Sequence, residues 1–184
     1  MTRKHRILGI DPGTNILGYS VIQADKKQLQ LIEFGVVTMK HLGSQQLKLK
    51  KIFERIQEII VLHQPSEVAI EAPFFGKNVQ SMLKLGRAQG VAIAAAITKG
   101  IKITEYSPKK IKQSVTGNGN ASKEQVAAML GNILNEKFDD KLLDATDALA
   151  TAVCHYYQSS NLLSGKKQFN GWSDYVNENK GRIS

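Results

Sequence analysis

The sequence predicts an α/β fold, a mixed five-stranded sheet with helices on both faces. Three observations carry that expectation. The chain begins with three β-rich segments joined by short turns, which makes them antiparallel neighbours. Helical and extended segments then alternate, and a helix between strands brings the next strand in parallel to the first. Finally, 184 residues with 42% hydrophobic content suffice for the core of one domain of ordinary size.

Taken in order, residues 6–11 form an apolar run, a buried strand ended by the turn Pro12-Gly13-Thr14-Asn15. Residues 17–22 read as a second strand, Asp25-Lys26-Lys27 as a hairpin tip, and residues 29–39 as a third strand. Ser44 caps a helix to about His63, because Leu49, Ile52, Phe53, Ile56, Ile59 and Ile60 recur at helical spacing before Pro65. Residues 68–71 are a short buried strand. The loop 72–77 leads to a long helix over 78–98, and 101–106 is the fifth strand. Ser107-Pro108 is a cap followed by proline at the first helical position. Gly117-Asn118-Gly119-Asn120 is a break, and Ser122 to Gln125 is a capping box for the next helix. A last helix covers about 141–157. From Ser159 the chain turns polar and rich in Gly, Asn and Ser. The expected division is therefore a domain over 1–158 and a tail over 159–184 that carries Trp172 and Tyr175.

The net charge of +9 favours an anionic partner, nucleic acid first and a membrane surface second, unless the protein is merely basic. No apolar segment approaches the ~20 residues of a membrane span. The apolar stretch after the basic N-terminus is too short for a secretion signal, so a cytoplasmic protein is expected. The single cysteine, Cys154, excludes an intrachain disulfide. In the run Ala152-Val153-Cys154 it reads as a buried, inert thiol despite the neighbouring His155.

Four carboxylates sit at the ends of predicted core elements. Asp11 ends one apolar run and Glu71 another. Asp144 and Asp147 are three apart on the last helix, about 60° apart around its axis. Singly, Asp11 is a turn former and Asp144 a first-turn acid. Together they describe an acidic cluster, because parallel strands bring Asp11 and Glu71 to one sheet edge. Two carboxylates ~4 Å apart repel by about 4 kcal/mol at an effective dielectric of 20. A hard divalent cation with oxygen ligands removes that repulsion. Two such ions can activate water and stabilise the leaving oxygen of a phosphodiester. All-oxygen ligation points to Mg²⁺ or Mn²⁺, and there is no CxxC or HExxH pattern for zinc.

The motifs Gly9-Ile10-Asp11-Pro12-Gly13-Thr14, Ile70-Glu71, Lys84-Leu85-Gly86-Arg87-Ala88-Gln89-Gly90-Val91-Ala92 and Asp144-Ala145-Thr146-Asp147-Ala148-Leu149-Ala150 resemble, in order and spacing, the RuvC family of bacterial Holliday junction resolvases. The similarity covers roughly residues 5–158. It implies a ribonuclease H-like fold and a homodimeric, Mg²⁺-dependent endonuclease with two ions per active site. Such an enzyme nicks two strands of a four-way DNA junction symmetrically during recombination and repair. The resemblance carries the family's catalytic, metal-holding acids onto Asp11, Glu71, Asp144 and Asp147. Some family members have histidine where this chain has Asp144. Phe74 matches an aromatic that stacks on junction bases, and Lys112 and Lys123 match basic residues near the scissile phosphate. The RuvA–RuvB branch-migration complex is the implied protein partner.

The residues read on their own agree. Residues 99–123 hold six lysines against one acid, Glu105. Lys109, Lys110, Lys112 and Lys123 flank a helix start and a glycine loop, both suited to phosphate contact, the alternative being a solvated helix face. Phe74-Phe75 lies in a loop, where an aromatic can stack on an unpaired base or join the core. Arg87 and Lys84 face DNA or simply water. The small residues Gly86, Gly90, Ala92, Ala94, Ala95 and Ala96 suit close packing, against a second copy or against the chain's own sheet. Two rivals share the fold: an ATPase of the actin and sugar-kinase type, whose architecture needs two such domains, and a non-catalytic junction binder, which would lack one or more acids.

Overall fold

The computed structural model describes residues 5–25, 28–73, 78–138 and 143–163, without the side chains of 143, 144 and 161–163. Its elements are β1 (His5–Asp11), β2 (Ile16–Asp25), β3 (Gln28–Thr38), α1 (Gln45–His63), β4 (Glu67–Glu71), α2 (Val79–Ile97), β5 (Lys102–Tyr106), α3 (Pro108–Thr116), α4 (Lys123–Leu134) and α5 (Leu143–Leu163). The five strands form one sheet in the order β3-β2-β1-β4-β5. β1, β2 and β3 are antiparallel, whereas β4 joins β1 in parallel and β5 joins β4 in parallel. This is the mixed sheet the sequence predicts.

The pleat sorts side chains between two layers. Leu8 and Ile10 of β1, with Val68 and Ile70 of β4, pack under α1 and α2. Ile7 and Ala69 face the other way, into a core shared with α3, α4 and α5. Gly9 points to that second layer, and there its missing side chain matters. A Cβ at Gly9 would stand 2.2 Å from the carbonyl oxygen of Ala148 and 2.8 Å from the Ala152 Cβ. The Ser20 hydroxyl, on the neighbouring strand, donates to the same carbonyl at 3.0 Å. α5 is thus seated directly on β1.

The helix starts follow their sequence signals. The Ser44 side chain accepts from the Leu47 amide, and Ser107 precedes Pro108 at the start of α3. Ser122 and Gln125 form the reciprocal capping box. α5 runs on to Leu163 where composition ends it near Tyr157. The extra turns are held from outside the helix, by Gln158 donating to the Ser114 hydroxyl at 3.1 Å, and from within it, by Ser159 donating to the Tyr156 carbonyl at 3.1 Å. Strand β2 is longer at both ends than the apolar pattern suggests: Ile16 pairs with Thr38 of β3 at its start, and near its end polar Gln23 pairs with Arg6 and accepts from its guanidinium. Ala88, Ala92, Ala95 and Ala96 of α2 are buried in the chain's own core. Gly86, Gly90 and Ala94 face outward. Cys154 is fully buried, and burial pushes its thiol up, as expected of an inert core cysteine. His155 is turned away from it, bonding Tyr106 and Glu67. Among the described residues no helix is long and apolar enough to cross a membrane.

Candidate active site

The register of β1 against β4 builds the site. Ile10 lies beside Ile70, so the next residues, Asp11 and Glu71, leave the same edge of adjacent strands. Alternation turns both toward the α5 side of the sheet. α5, fixed over β1 at Gly9 and Ala148, presents Asp147 one residue before that contact. The Lys123 ammonium sits 2.6 Å from an Asp147 carboxylate oxygen. Lys123 is the first residue of α4, so the capping box sets its position. Lys112, on α3, donates to the Ala121 carbonyl at 2.7 Å, just ahead of that box.

These groups act on one another electrostatically. Burial, then the charges of Asp11 and Asp147, push the Glu71 carboxyl up to about 8, against the opposing pull of Lys123 and Lys112. Beside it lies a cavity of about 210 Å³ walled by Asp11, Glu71 and Gln89 together with Leu85, Pro12 and Pro73. Gln89 is itself buried, and its amide donates to Glu105 at 2.7 Å. Neither Gln89, quoted only within a motif, nor Glu105, noted only as the one acid among lysines, was expected at the site. The available signals were a glutamine inside an Ala/Gly-rich helix and one acid in a lysine-rich stretch.

Three of the four acids are therefore brought together. The fourth, Asp144, lies in the first turn of α5 with its side chain outside the described residues, as is Phe74. Lys112 and Lys123 join the acids, and Lys109 and Lys110 are exposed on the first turn of the same α3 helix. Arg87 is exposed about 160° round α2 from Leu85 and Gln89, so the helix turns it away from the cavity wall.

Among the described residues no three ligating side chains converge closely enough to grip one ion as they stand. The donor chemistry nevertheless fits a hard cation. The donors are carboxylate oxygens, and the two lysines leave Glu71 still well above its ordinary range. The pH dependence follows from that shift. The folded chain holds a proton on Glu71 between its ordinary value of 4.5 and about 8, so cation-free stability falls as pH rises through that window. Thermal unfolding in a chelator should give a lower midpoint at pH 8 than at pH 5.5, and Glu71→Gln should flatten the difference. A Gln variant as pH-sensitive as the parent would mean that other groups set the slope.

Comparisons with known proteins bear on this arrangement. The family model described as crossover junction endodeoxyribonuclease RuvC matches residues 7–155. The RuvC of Cytophaga hutchinsonii is 60% identical, over 96% of this chain and 87% of its own length. That of Porphyromonas gingivalis is 50% identical over the whole of both chains. Among solved structures, Thermus thermophilus RuvC in complex with Holliday junction substrate superposes with a TM-score of 0.78 at 31% identity, covering 84% of this chain and 94% of that one.

Proposed function

This chain belongs to the RuvC family of crossover junction endodeoxyribonucleases, with a ribonuclease H-like fold, and we propose that it resolves four-way DNA junctions by symmetric, metal-dependent nicking. One observation carries the reading: Asp11 and Glu71 leave adjacent parallel strands at one edge, under an α5 that brings Asp147 to them. Asp11, Glu71, Asp144 and Asp147 are the catalytic acids and would hold Mg²⁺, two ions per site, with Mn²⁺ as a substitute. Bound there, the metal supplies an activated water and stabilisation of the departing oxygen.

The chain's own groups do the rest. Lys123 and Lys112 add positive charge beside the acids, where the phosphoryl group gathers negative charge in the transition state. Lys123 has a place to wait, its ion pair with Asp147. Leu85, Pro12 and Pro73 give the cavity beside Glu71 a partly apolar wall, and the lower local dielectric strengthens charge interactions there. Lys109, Lys110 and Arg87 contact the DNA backbone, and Phe74 stacks on junction bases.

Two cuts related by symmetry need two sites related by a two-fold axis, so the enzyme works as a homodimer. Support comes from the outward stripe of α2, where Gly86, Gly90 and Ala94 lie between exposed Val79, Leu83 and Ile97. Gly90 has open space around its Cβ position. Gly90→Glu is therefore expected to keep the fold while converting dimers to monomers in sedimentation velocity; dimers of undiminished stability would move the interface elsewhere. RuvA–RuvB as partner rests on the family resemblance.

The function is tested with a labelled synthetic four-way junction beside linear duplexes of the same sequences, with and without Mg²⁺. Paired, Mg²⁺-dependent nicks confined to the junction are expected. Tight binding without nicks under Mg²⁺ or Mn²⁺ would leave a non-catalytic binder.

A further inference from the structure

The lysines so far assigned to DNA on α3 and α4 flank the acid cavity on one side only. On the other side the sheet continues through β2 to β3, two strand spacings or about 10 Å away. β3 leaves the sheet at the same edge as Asp11. Gly18 lies opposite Asp11, and Ile16, two residues nearer that edge, lies opposite Thr38 at the end of β3. The Met39 amide then donates to the Asn15 carbonyl at 2.7 Å, which ties the exit of β3 to the turn that follows Asp11.

The stretch that emerges there has a one-sided charge. Between Glu33 and Glu54 the chain carries Lys40, His41, Lys48, Lys50 and Lys51 and no acid. Lys48 donates to the Asn15 side chain at 2.7 Å, so α1 is fastened to the same turn. Lys51 is three residues further on and neighbours Lys48 on the helix surface. Lys50 pairs with Glu54 at 3.6 Å. Among the described residues Lys40 and Lys51 make no ion pair, and both are exposed.

We infer that Lys40, Lys48 and Lys51 form a second phosphate-binding face, which carries a DNA arm of the junction past the acid cavity on the β3–α1 side. The inference rests on the junction-nuclease reading above. Its logic is charge and continuity. A strand whose phosphate lies at Asp11 and Glu71 runs on in both directions, and the edge that meets it away from α3 and α4 is net basic, Glu54 being paired with Lys50, and anchored to the Asp11 turn. Lysines placed so meet phosphates without reading sequence, and each contact releases counterions.

The test is the salt dependence of junction binding in chelator, so that nothing is cut, for the wild-type chain, Lys40→Ala/Lys51→Ala and Lys112→Ala. Both lysines are exposed, so the double variant should melt with the wild type. Its log–log salt slope is expected to be shallower by about 1 for each lysine that meets a phosphate, about 2 for the pair. A slope equal to wild type overturns the second face, whatever Lys112→Ala does. A wild-type chain with no affinity for a four-way junction even at low salt overturns instead the functional reading beneath it.

Discussion

Asp11→Asn should lower the rate of junction nicking by at least about 10³-fold, about 4 kcal/mol of transition-state stabilisation, while the junction is bound as well as before or better. The change keeps size and hydrogen-bonding capacity but removes one negative charge from the edge where β1 and β4 release their acids. A cation loses a ligand there, whereas the DNA backbone loses a repulsive neighbour. The variant also has a signature independent of turnover. Asp11 is, after burial itself, the largest influence raising the Glu71 carboxyl. Without it Glu71 ionises at lower pH, so the variant in chelator should lose less stability than the parent between pH 5.5 and 8. Nicking at the parental rate would remove Asp11 from the chemistry. Lost nicking with an unchanged pH profile of stability would mean that Asp11 does not act on Glu71.

Gly9→Ala is expected to cost about 3 kcal/mol in chemical denaturation, near the upper end for overpacking a core with one methyl group. The added carbon meets backbone at 2.2 Å, the carbonyl of Ala148, and the Ser20 hydroxyl at 2.8 Å. A carbonyl inside a buried helix cannot swing aside, so α5 must lift from β1 as a body. Asp147 moves with it, and nicking should fall along with stability. Gly43→Ala, with nothing within 4 Å of the added carbon, is the matched control and should be close to neutral. Equal cost at both positions would show that α5 does not bear on Gly9.

The parts of this architecture that declare themselves locally were legible. Asp11 and Glu71 each end an apolar run, and Ser44, Ser107 and Ser122 announce helices through chemistry confined to one turn. The order of strands and helices follows from the same local signals, and the parallel pairing that unites two acids follows from the order. What stayed hidden is set by contacts between distant segments. The Gln89–Glu105 bond joins α2 to β5, and neither residue has a local reason to stand out. Gly9 reads as one glycine in a strand until the helix that lies on it is known. Ser159 reads as the start of a polar tail, yet it lies inside α5, where Gln158 bonds Ser114 and Ser159 bonds the preceding turn.

The acids are drawn from β1, β4 and α5, so a chain that stops short of α5 cannot assemble them. On the ribosome, the emerging polypeptide exposes Asp11 and Glu71 long before α5 has been made. During that interval it can form part of the sheet, but the acid cluster of the proposed nuclease is incomplete. On the function proposed above, completion of α5 arms the enzyme, and a product that stops before it is expected not to nick a four-way junction.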